Sequence, residues 1–144
     1  MLRALSIVGF LGMAAGVIAQ FATGNLCSSS PWVIAVQVGA VLLLLWARLA
    51  FGRRSFHPVA NPTEGGLVTS GPYRYIRHPI YTALSVFSVA GVVAHWSWAS
   101  GVLGGLVVGC ALLRIFSEEV MVTARYPEYR LYAATTWRMI PYVF

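Results

Sequence analysis

Long apolar stretches alternate with short polar ones along this 144-residue chain. No charged residue lies between Arg3 and Arg48, a gap of 44 residues, and none lies between Arg77 and Arg114, a gap of 36. An apolar helix of about 20 residues crosses a bilayer, so each gap is long enough for two such helices. The pattern predicts four membrane-spanning helices, at about 2–21, 31–51, 79–94 and 99–116.

The segments between the predicted spans have the composition of turns and loops. Residues 22–30 and 95–98 read as short turns, and the second contains the interfacial pair Trp96 and Trp98. The segment 48–77, with five Arg and several Pro and Gly, is predicted to be mostly loop. The third span is short, so we expect neighbouring helices to shield part of it. The N-terminal run also fits a signal peptide, but its length and the later spans favour an uncleaved helix.

The C-terminal segment from Ser117 to Phe144 carries three Arg and three Glu and is predicted to be a cytoplasmic amphipathic helix that stops at Pro141. Helical spacing would place four of its polar residues on one face: Glu118, Arg125, Tyr129 and Tyr132. Arg114 precedes Glu118 by one turn and is expected to pair with it. The predicted fold class is therefore an all-α integral membrane bundle that forms one domain, 1–144.

Composition agrees with a membrane protein. Hydrophobic residues make up 58% of the chain and charged residues 10%, whereas soluble domains carry about 25% charged residues. These values exclude a disordered chain, a collagen-like chain and a disulfide-rich secreted module. A pI near 9.9 would suit a nucleic-acid-binding protein, but the charges cluster near the ends of apolar runs, so no nucleic-acid partner is expected. Cys27 and Cys110 are isolated and predict neither a disulfide framework nor a metal site.

The positions of the arginines predict the orientation. All ten basic residues are Arg, and the two short turns contain none of them. By the positive-inside rule, both termini and the central loop should face the cytoplasm.

Glycines repeat at helical spacing in two spans. Gly101, Gly105 and Gly109 are four residues apart in the fourth span, and Gly12 and Gly16 repeat this spacing in the first. Glycines on a helix face let the backbones of two helices approach closely. Such close packing matters in a membrane, because lipid supplies no hydrophobic drive between helices. Contact within one chain is the first interpretation, and a homodimer through these faces is the alternative.

Two segments are polar beyond what packing requires. The first runs from Gly71 to Tyr81 and contains an Arg-His-Pro sequence, in which Pro79 suits the first turn of a helix. His78 then lies where free helix N–H groups favour an anion, although it could also serve only as a helix cap. The second contains Glu118 and Glu119, which are costly at the end of a span unless they are paired or functional. The alternatives are that the arginines and tyrosines only anchor the helices at the interface, and that Glu118 and Glu119 are ordinary solvated charges just outside the bilayer.

These two segments, in this order, resemble the signature of the isoprenylcysteine carboxyl methyltransferase family, to which membrane phospholipid methyltransferases are related. The resemblance covers about 65–141, from the hallmark segment 71–81 to Arg138-Met139-Ile140-Pro141. It implies S-adenosylmethionine as cofactor and a cofactor pocket made of seven residues: Tyr73, Arg77, His78, Pro79, Tyr81, Glu118 and Glu119. Aromatic faces suit a sulfonium and an adenine ring.

The methyl acceptor is expected to be apolar or lipid-like and to enter between helices from the membrane lipid. Arg125 or Arg138 could orient a carboxylate acceptor, such as that of isoprenylcysteine, while a Glu or Tyr could accept the proton of an amine acceptor. The sequence leaves three other kinds of methyl acceptor open: a phospholipid, a quinone or sterol-like lipid, and a small thiol. Two other readings are a small sterol-reductase-like protein using NADPH, which four spans disfavour, and a non-enzymatic membrane protein.

Overall fold

The computed structural model describes residues 1–52 and 66–144. In these ranges it contains five α-helices, which are α1 (Leu2–Ala22), α2 (Pro31–Phe51), α3 (Pro79–Ala94), α4 (Trp98–Arg125) and α5 (Tyr129–Ala134). A short 3₁₀ helix at Gly71–Arg74 precedes α3. The middle of the predicted central loop, 53–65, lies outside the described residues.

Three of the helices, α1, α2 and α4, are long and apolar enough to cross a membrane. The third predicted span is α3, which has 16 residues and is about 24 Å long, shorter than the hydrocarbon layer of about 30 Å. Helices on both sides of α3 bury seven of its residues. The prediction of a membrane helical bundle is confirmed, and so is the expectation that neighbouring helices shield α3.

Proline and serine mark the helix starts. Pro31 and Pro79 occupy the first position of α2 and α3, where a missing N–H costs nothing. At the start of α4, Ser97 and Ser100 form a reciprocal capping box between side chains and backbone. These prolines and the capping box fix the residue at which each helix begins.

The helices pack in the order α1–α4–α3–α2. A Cβ on Gly12 or Gly16 would lie 2.5 Å from Cys110 Sγ or 2.7 Å from Val107 Cγ2, so α1 approaches α4 closely at these glycines. Contact within the chain is therefore confirmed for the first glycine repeat. For the second repeat a close approach of helix backbones is wrong, because a Cβ on Gly105 or Gly109 would meet nothing within 4 Å and one on Gly101 would meet only the Trp96 side chain, at 3.7 Å. The homodimer stays a prediction.

The fourth predicted span continues beyond residue 116, and the C-terminal segment is not one separate amphipathic helix. Helix α4 runs unbroken to Arg125 and then stops at Tyr126, which is extended (φ −125°, ψ 90°) before Pro127. A short α5 follows. The predicted common face of Glu118, Arg125, Tyr129 and Tyr132 is wrong, because this break changes the direction of the chain.

The C-terminal chain returns to the segment that precedes α3. Ile76 and Trp137 form a parallel β-bridge, and the N–H groups of Arg77 and His78 donate to the carbonyls of Trp137 and Arg138, at 2.7 and 2.9 Å. Thr82 Oγ1 adds a hydrogen bond of 3.1 Å to the carbonyl of Met139. This pairing brings two segments about 60 residues apart to one end of the bundle.

Candidate functional site

Charged and polar side chains converge where α3 begins and where α4 passes beside it. They come from the hallmark segment, from α4 and from the C-terminal chain, and comprise Arg77, His78, Tyr81, Arg114, Glu118, Glu119, Tyr129 and Arg138. We call this set the polar cluster. Most of it is buried or half-buried, so its charges are compensated by one another rather than by water.

Glu119 accepts hydrogen bonds from more groups than any other member that the structure describes. Its Oε1 accepts from Arg77 Nε at 3.0 Å, and from His78 Nε2 and Tyr129 Oη at 3.3 Å each. Its Oε2 accepts from Arg138 Nε at 3.0 Å. Glu119 therefore ties the start of α3, the helix α5 and the C-terminal chain to α4.

Arg77 forms hydrogen bonds both to α4 and to the C-terminal segment. Besides Glu119, its guanidinium donates to the carbonyls of Ala133, at 2.9 Å, and Thr136. Its side chain is only 8% exposed. A buried guanidinium needs this many acceptors, and it holds the C-terminal chain against α3.

Glu118 has a different environment from its neighbour. Its Oε1 accepts from Arg114 Nε at 3.0 Å and from Tyr81 Oη at 2.5 Å, which confirms the predicted pairing with Arg114. Arg114 also reaches across to the carbonyl of Ser6 on α1, at 3.2 Å. Glu118 Oε2 accepts no hydrogen bond from a described residue, and His78 Nδ1 lies 3.9 Å from it.

The pair of atoms His78 Nδ1 and Glu118 Oε2 forms the open part of the cluster. The separation of 3.9 Å is too long for a direct hydrogen bond. The side chain of Glu118 is 19% exposed, more than that of Glu119. A ligand hydroxyl or ammonium group could therefore donate to Glu118 without displacing a protein contact.

His78 precedes α3, and its backbone is not helical (φ −125°, ψ 54°), as expected for a residue before proline. Its side chain makes no capping hydrogen bond to α3. The imidazole instead faces Glu119 and the ring of Tyr81, with ring centroids 5.9 Å apart. The His78 side chain therefore does not serve as a helix cap.

Tyr129 of the cluster and two tyrosines near it, Tyr73 and Tyr132, are buried or half-buried. Burial raises the pKa of Tyr132 to about 12, and it raises the pKa of Tyr73 and Tyr129 well above the ordinary tyrosine value. Tyr132 Oη donates to the carbonyl of Tyr73 at 2.6 Å, and the ring of Tyr73 lies against Phe51 at the end of α2. Tyr73 is therefore held by the hydrogen bond to its carbonyl and by packing against Phe51, and its place in the cofactor pocket stays a prediction.

The two arginines proposed for the acceptor have different surroundings. Arg138 belongs to the cluster, and its guanidinium lies 5.2 Å from the ring centroids of both Phe116 and Phe144. Its side chain is 34% exposed. Arg125 is exposed at the end of α4 and stacks near Tyr126, at 5.8 Å, about 9 Å further along the helix than Glu119.

The sequence does not predict that Arg114 and Tyr129 belong to the cofactor pocket, although helical spacing relates both of them to Glu118. Their position in the cluster depends on non-local contacts with α1, α3 and the C-terminal chain. For Arg114 a usable signal exists, since it lies inside an apolar run, where an ionisable residue is expected to have a partner.

The chain matches a model of a known protein family. Residues 32–124 match the model of the isoprenylcysteine carboxyl methyltransferase (ICMT) family. The matched range covers more than half of the chain. The chain belongs to the ICMT family. No curated protein and no solved structure matches it. Family membership and the apolar helices together identify an integral membrane methyltransferase, and the polar cluster of this ICMT-family chain is its candidate active site.

Proposed function

We propose that this ICMT-family chain transfers a methyl group from S-adenosylmethionine to an apolar or lipid-like acceptor at the polar cluster. The observation that carries the proposal is the open carboxylate oxygen of Glu118 beside His78 and the start of α3. It offers a hydrogen-bond acceptor, an imidazole and a helix N-terminus in one place, at the end of a bundle whose segments 4–47 and 78–113 carry no Arg, Lys, Asp or Glu.

The chemistry of these groups fits the cofactor. Glu118 Oε2 would accept from the ribose hydroxyls or the amino group. The N–H groups of Ile80 and Tyr81, which donate to no backbone carbonyl of the described residues, would face the carboxylate. The rings of Tyr73 and Tyr81 would line the aromatic part of the pocket. Arg77 and Glu119 would hold these groups in position through the contacts already described.

When bound, S-adenosylmethionine supplies a methyl group already activated by a positively charged sulfur. The protein then has to bind, orient the acceptor and keep water out. Burial of the cluster and the hydrogen-bond network around Glu119 suit these tasks. A tyrosine that stays protonated, or a carboxylate that is already paired, would not compete with the acceptor for the methyl group.

The acceptor would approach from the bilayer side, past Phe116 on α4. Phe116 is 47% exposed and borders Arg138, whose partly exposed guanidinium could orient an anionic acceptor such as an isoprenylcysteine carboxylate. Arg125 lies farther from the cluster and is the weaker choice for this role. The arginine distribution supports a cytoplasmic active site with both termini on the same side.

Equilibrium binding tests the proposal most directly. Isothermal titration of the purified protein is expected to show binding of S-adenosylmethionine and of its demethylated product but not of NADPH. Glu118→Gln and Glu119→Gln keep the side-chain shape and remove the charge, and each is expected to weaken binding about tenfold or more. Glu118→Gln would lose a charge-assisted hydrogen bond to the cofactor, and Glu119→Gln would weaken the contacts that hold Arg77 and His78 in position.

Glu128→Gln is the matched control, because Glu128 is exposed and outside the cluster. Unchanged affinity in both cluster variants would disprove the assignment of the cofactor site. Binding of NADPH with no binding of S-adenosylmethionine would favour a reductase. A methyl-transfer assay with labelled cofactor and fractionated lipids would then identify the acceptor class.

A further inference from the structure

The segment 137–144 leaves most of its apolar side chains uncovered. Trp137, Ile140, Tyr142, Val143 and Phe144 are all exposed, Tyr142 by 87% and Val143 by 74%. The rings of Trp137 and Tyr142 lie against each other, with centroids 5.7 Å apart. We call these five residues the apolar patch. Such a cluster on a protein surface marks a site of contact with a membrane or with another protein.

The tip of the apolar patch has a backbone conformation that its residue type does not favour. Residues 140–143 form a turn, closed by a hydrogen bond of 3.1 Å from the N–H of Val143 to the carbonyl of Ile140. Tyr142 lies in this turn with φ 65°, and it is the only non-glycine residue with positive φ in the described ranges. Glycine adopts this conformation without steric cost, whereas a bulky residue does not. Strain of this kind points to a role for the exposed ring outside the turn itself.

The level of the apolar patch along α4 selects the bilayer as its occupant. Helix α4 begins at Trp98, whose exposed ring suits one membrane interface, and Phe116 lies about 27 Å further along the helix. The hydrocarbon layer is about 30 Å thick, so Phe116 lies near its opposite edge. The ring of Phe144 lies 6.5 Å from the ring of Phe116. The apolar patch therefore adjoins α4 at the level of that edge.

The contact with Phe116 also shows that the apolar patch lies beside α4 and not beyond its end. The helix continues for about 14 Å after Phe116, to Arg125. Phe116 and Val120, one turn further on, are both exposed on the flank of the helix. The surface of α4 that faces lipid is therefore continuous with the apolar patch, and a second copy or a soluble protein would have to displace lipid there.

The charges near the apolar patch suit phospholipid headgroups. Residues 129–144 contain two arginines, Arg130 and Arg138, and no acidic residue. Tryptophan and tyrosine are enriched where hydrocarbon meets the headgroups, and arginine is attracted to anionic lipids. We propose that the segment 137–144 lies in the interfacial layer of the bilayer beside α4, with Tyr142 and Val143 in contact with lipid. The proposal does not depend on the methyl-transfer reaction.

Site-directed spin labelling of the purified full-length protein in phosphatidylcholine nanodiscs tests this position. A nitroxide is attached at Val143→Cys in a chain that also carries Cys27→Ser and Cys110→Ala. Its collisions with oxygen, which concentrates in hydrocarbon, and with a nickel chelate, which stays in water, are measured. A label at Leu106→Cys, exposed within α4, gives the value for lipid, and one at Glu128→Cys, exposed past the end of α4, gives the value for water.

The ratio of oxygen to nickel accessibility at position 143 should be closer to the value at position 106 than to the value at position 128. Tyr142→Asp places a charge in the apolar patch, and aspartate tolerates a positive φ better than tyrosine does. It should shift the ratio towards the value for water, because a carboxylate is unfavourable in an apolar layer. Thr135→Asp is the matched control, because Thr135 is exposed but outside the apolar patch, and it should leave the ratio unchanged.

Three results would overturn the proposal. A ratio at position 143 equal to that at position 128 would mean that the segment lies in water. Low accessibility to both reagents would mean that protein covers the apolar patch, and the mass of the complex would show whether this protein is a second copy. An unchanged ratio in Tyr142→Asp would mean that the tip of the turn does not contact lipid.

Discussion

Two adjacent glutamates, Glu118 and Glu119, have different surroundings although the sequence presents them as a pair. Glu119 is surrounded by Arg77, His78 and Arg138, and both of its oxygens are used within the protein. Glu118 uses one oxygen on Arg114 and leaves the other open. A closed network around one carboxylate can hold the second in place, which is how a binding group keeps its geometry when the ligand is absent.

Replacing His78 tests whether its imidazole binds the cofactor or acts as a base on the acceptor. His78→Ala removes a ring that lies beside Glu118 and Glu119. We expect it to weaken the binding of S-adenosylmethionine and of its demethylated product by similar factors, because a general base would have to reach the proton of the acceptor instead. Titration calorimetry on both ligands, together with a turnover assay, measures this.

The opposite pattern would contradict the cofactor role. If both affinities stay unchanged while turnover is lost, His78 acts on the acceptor. If binding and turnover persist and only thermal stability falls, the residue serves the fold at the start of α3.

The arginines provide a second pair with different surroundings. Arg138→Ala should lower kcat/KM for a carboxylate acceptor about tenfold or more, as expected for the loss of a charge-assisted hydrogen bond. Arg125→Ala, about two turns beyond the cluster, should change it little. Steady-state kinetics of the two variants over a range of acceptor concentrations make the comparison. An equal or larger loss in Arg125→Ala would move the acceptor site towards the end of α4.

At the residue scale, the sequence predicts side-chain contacts within one helix but not the contacts between distant segments of the chain. The Arg114–Glu118 pair is separated by one turn, so helical spacing alone indicates it. The two arginines on Glu119 are 61 residues apart from each other, and no local periodicity relates them. Only the backbone pairing of 75–78 with the C-terminal chain brings them to one carboxylate.

At the scale of the elements, the end of α4 shows why a hydropathy boundary is not a helix boundary. The apolar run ends at about residue 116, and the predicted span ends there. The helix continues for nine more residues because its polar side chains find partners beside it, with Ser117 donating to the carbonyl of Leu113 at 2.8 Å and Glu118 bonded to α3. The helix ends where Pro127 forces an extended Tyr126.

Close packing between helices and turns predicts a strong effect at Gly91. A Cβ at this position would lie 2.5 Å from the carbonyl oxygen of Leu26 and 2.6 Å from that of Asn25, and backbone atoms cannot rotate away. Gly91→Ala should therefore destabilise the bundle by about 1–3 kcal/mol or more. The measurement is the apparent melting temperature in detergent, at one scan rate and one protein concentration.

Gly105→Ala is the matched control, since nothing lies within 4 Å of its Cβ position. It should leave the melting temperature unchanged or raise it slightly, because alanine favours a helix more than glycine does. A fall as large as that of Gly91→Ala would show that the glycine face of α4 is packed against another molecule. That result, with a change in oligomer mass, would support the predicted homodimer.

For the whole molecule, the apolar gaps were enough to predict the bundle, since each helix has to satisfy its own backbone in lipid. They did not predict which helices adjoin. The order α1–α4–α3–α2 depends on how small residues of α1 fit against α4, and similar glycine repeats in the two helices have opposite outcomes. Surface complementarity of this kind has no one-dimensional signature.

The predicted orientation is tested with single cysteines. With four crossings, the α1–α2 turn and the segment before α3 lie on opposite sides of the membrane. The native Cys27 is exposed in that turn, and Thr69 is exposed before α3. One variant is Cys110→Ala, which keeps Cys27, and the other combines Cys27→Ser, Cys110→Ala and Thr69→Cys.

In intact cells, a membrane-impermeant maleimide should label Cys27 and should reach the cysteine at position 69 only after the membrane is permeabilised. The arginines predict this result, because the segment before α3 and the C-terminal chain carry them while the α1–α2 turn has none. Labelling of position 69 from outside, with Cys27 protected, would invert the orientation and place the polar cluster away from the cytoplasm. Labelling of both positions from outside would contradict the crossing assigned to α2, the one span that separates them.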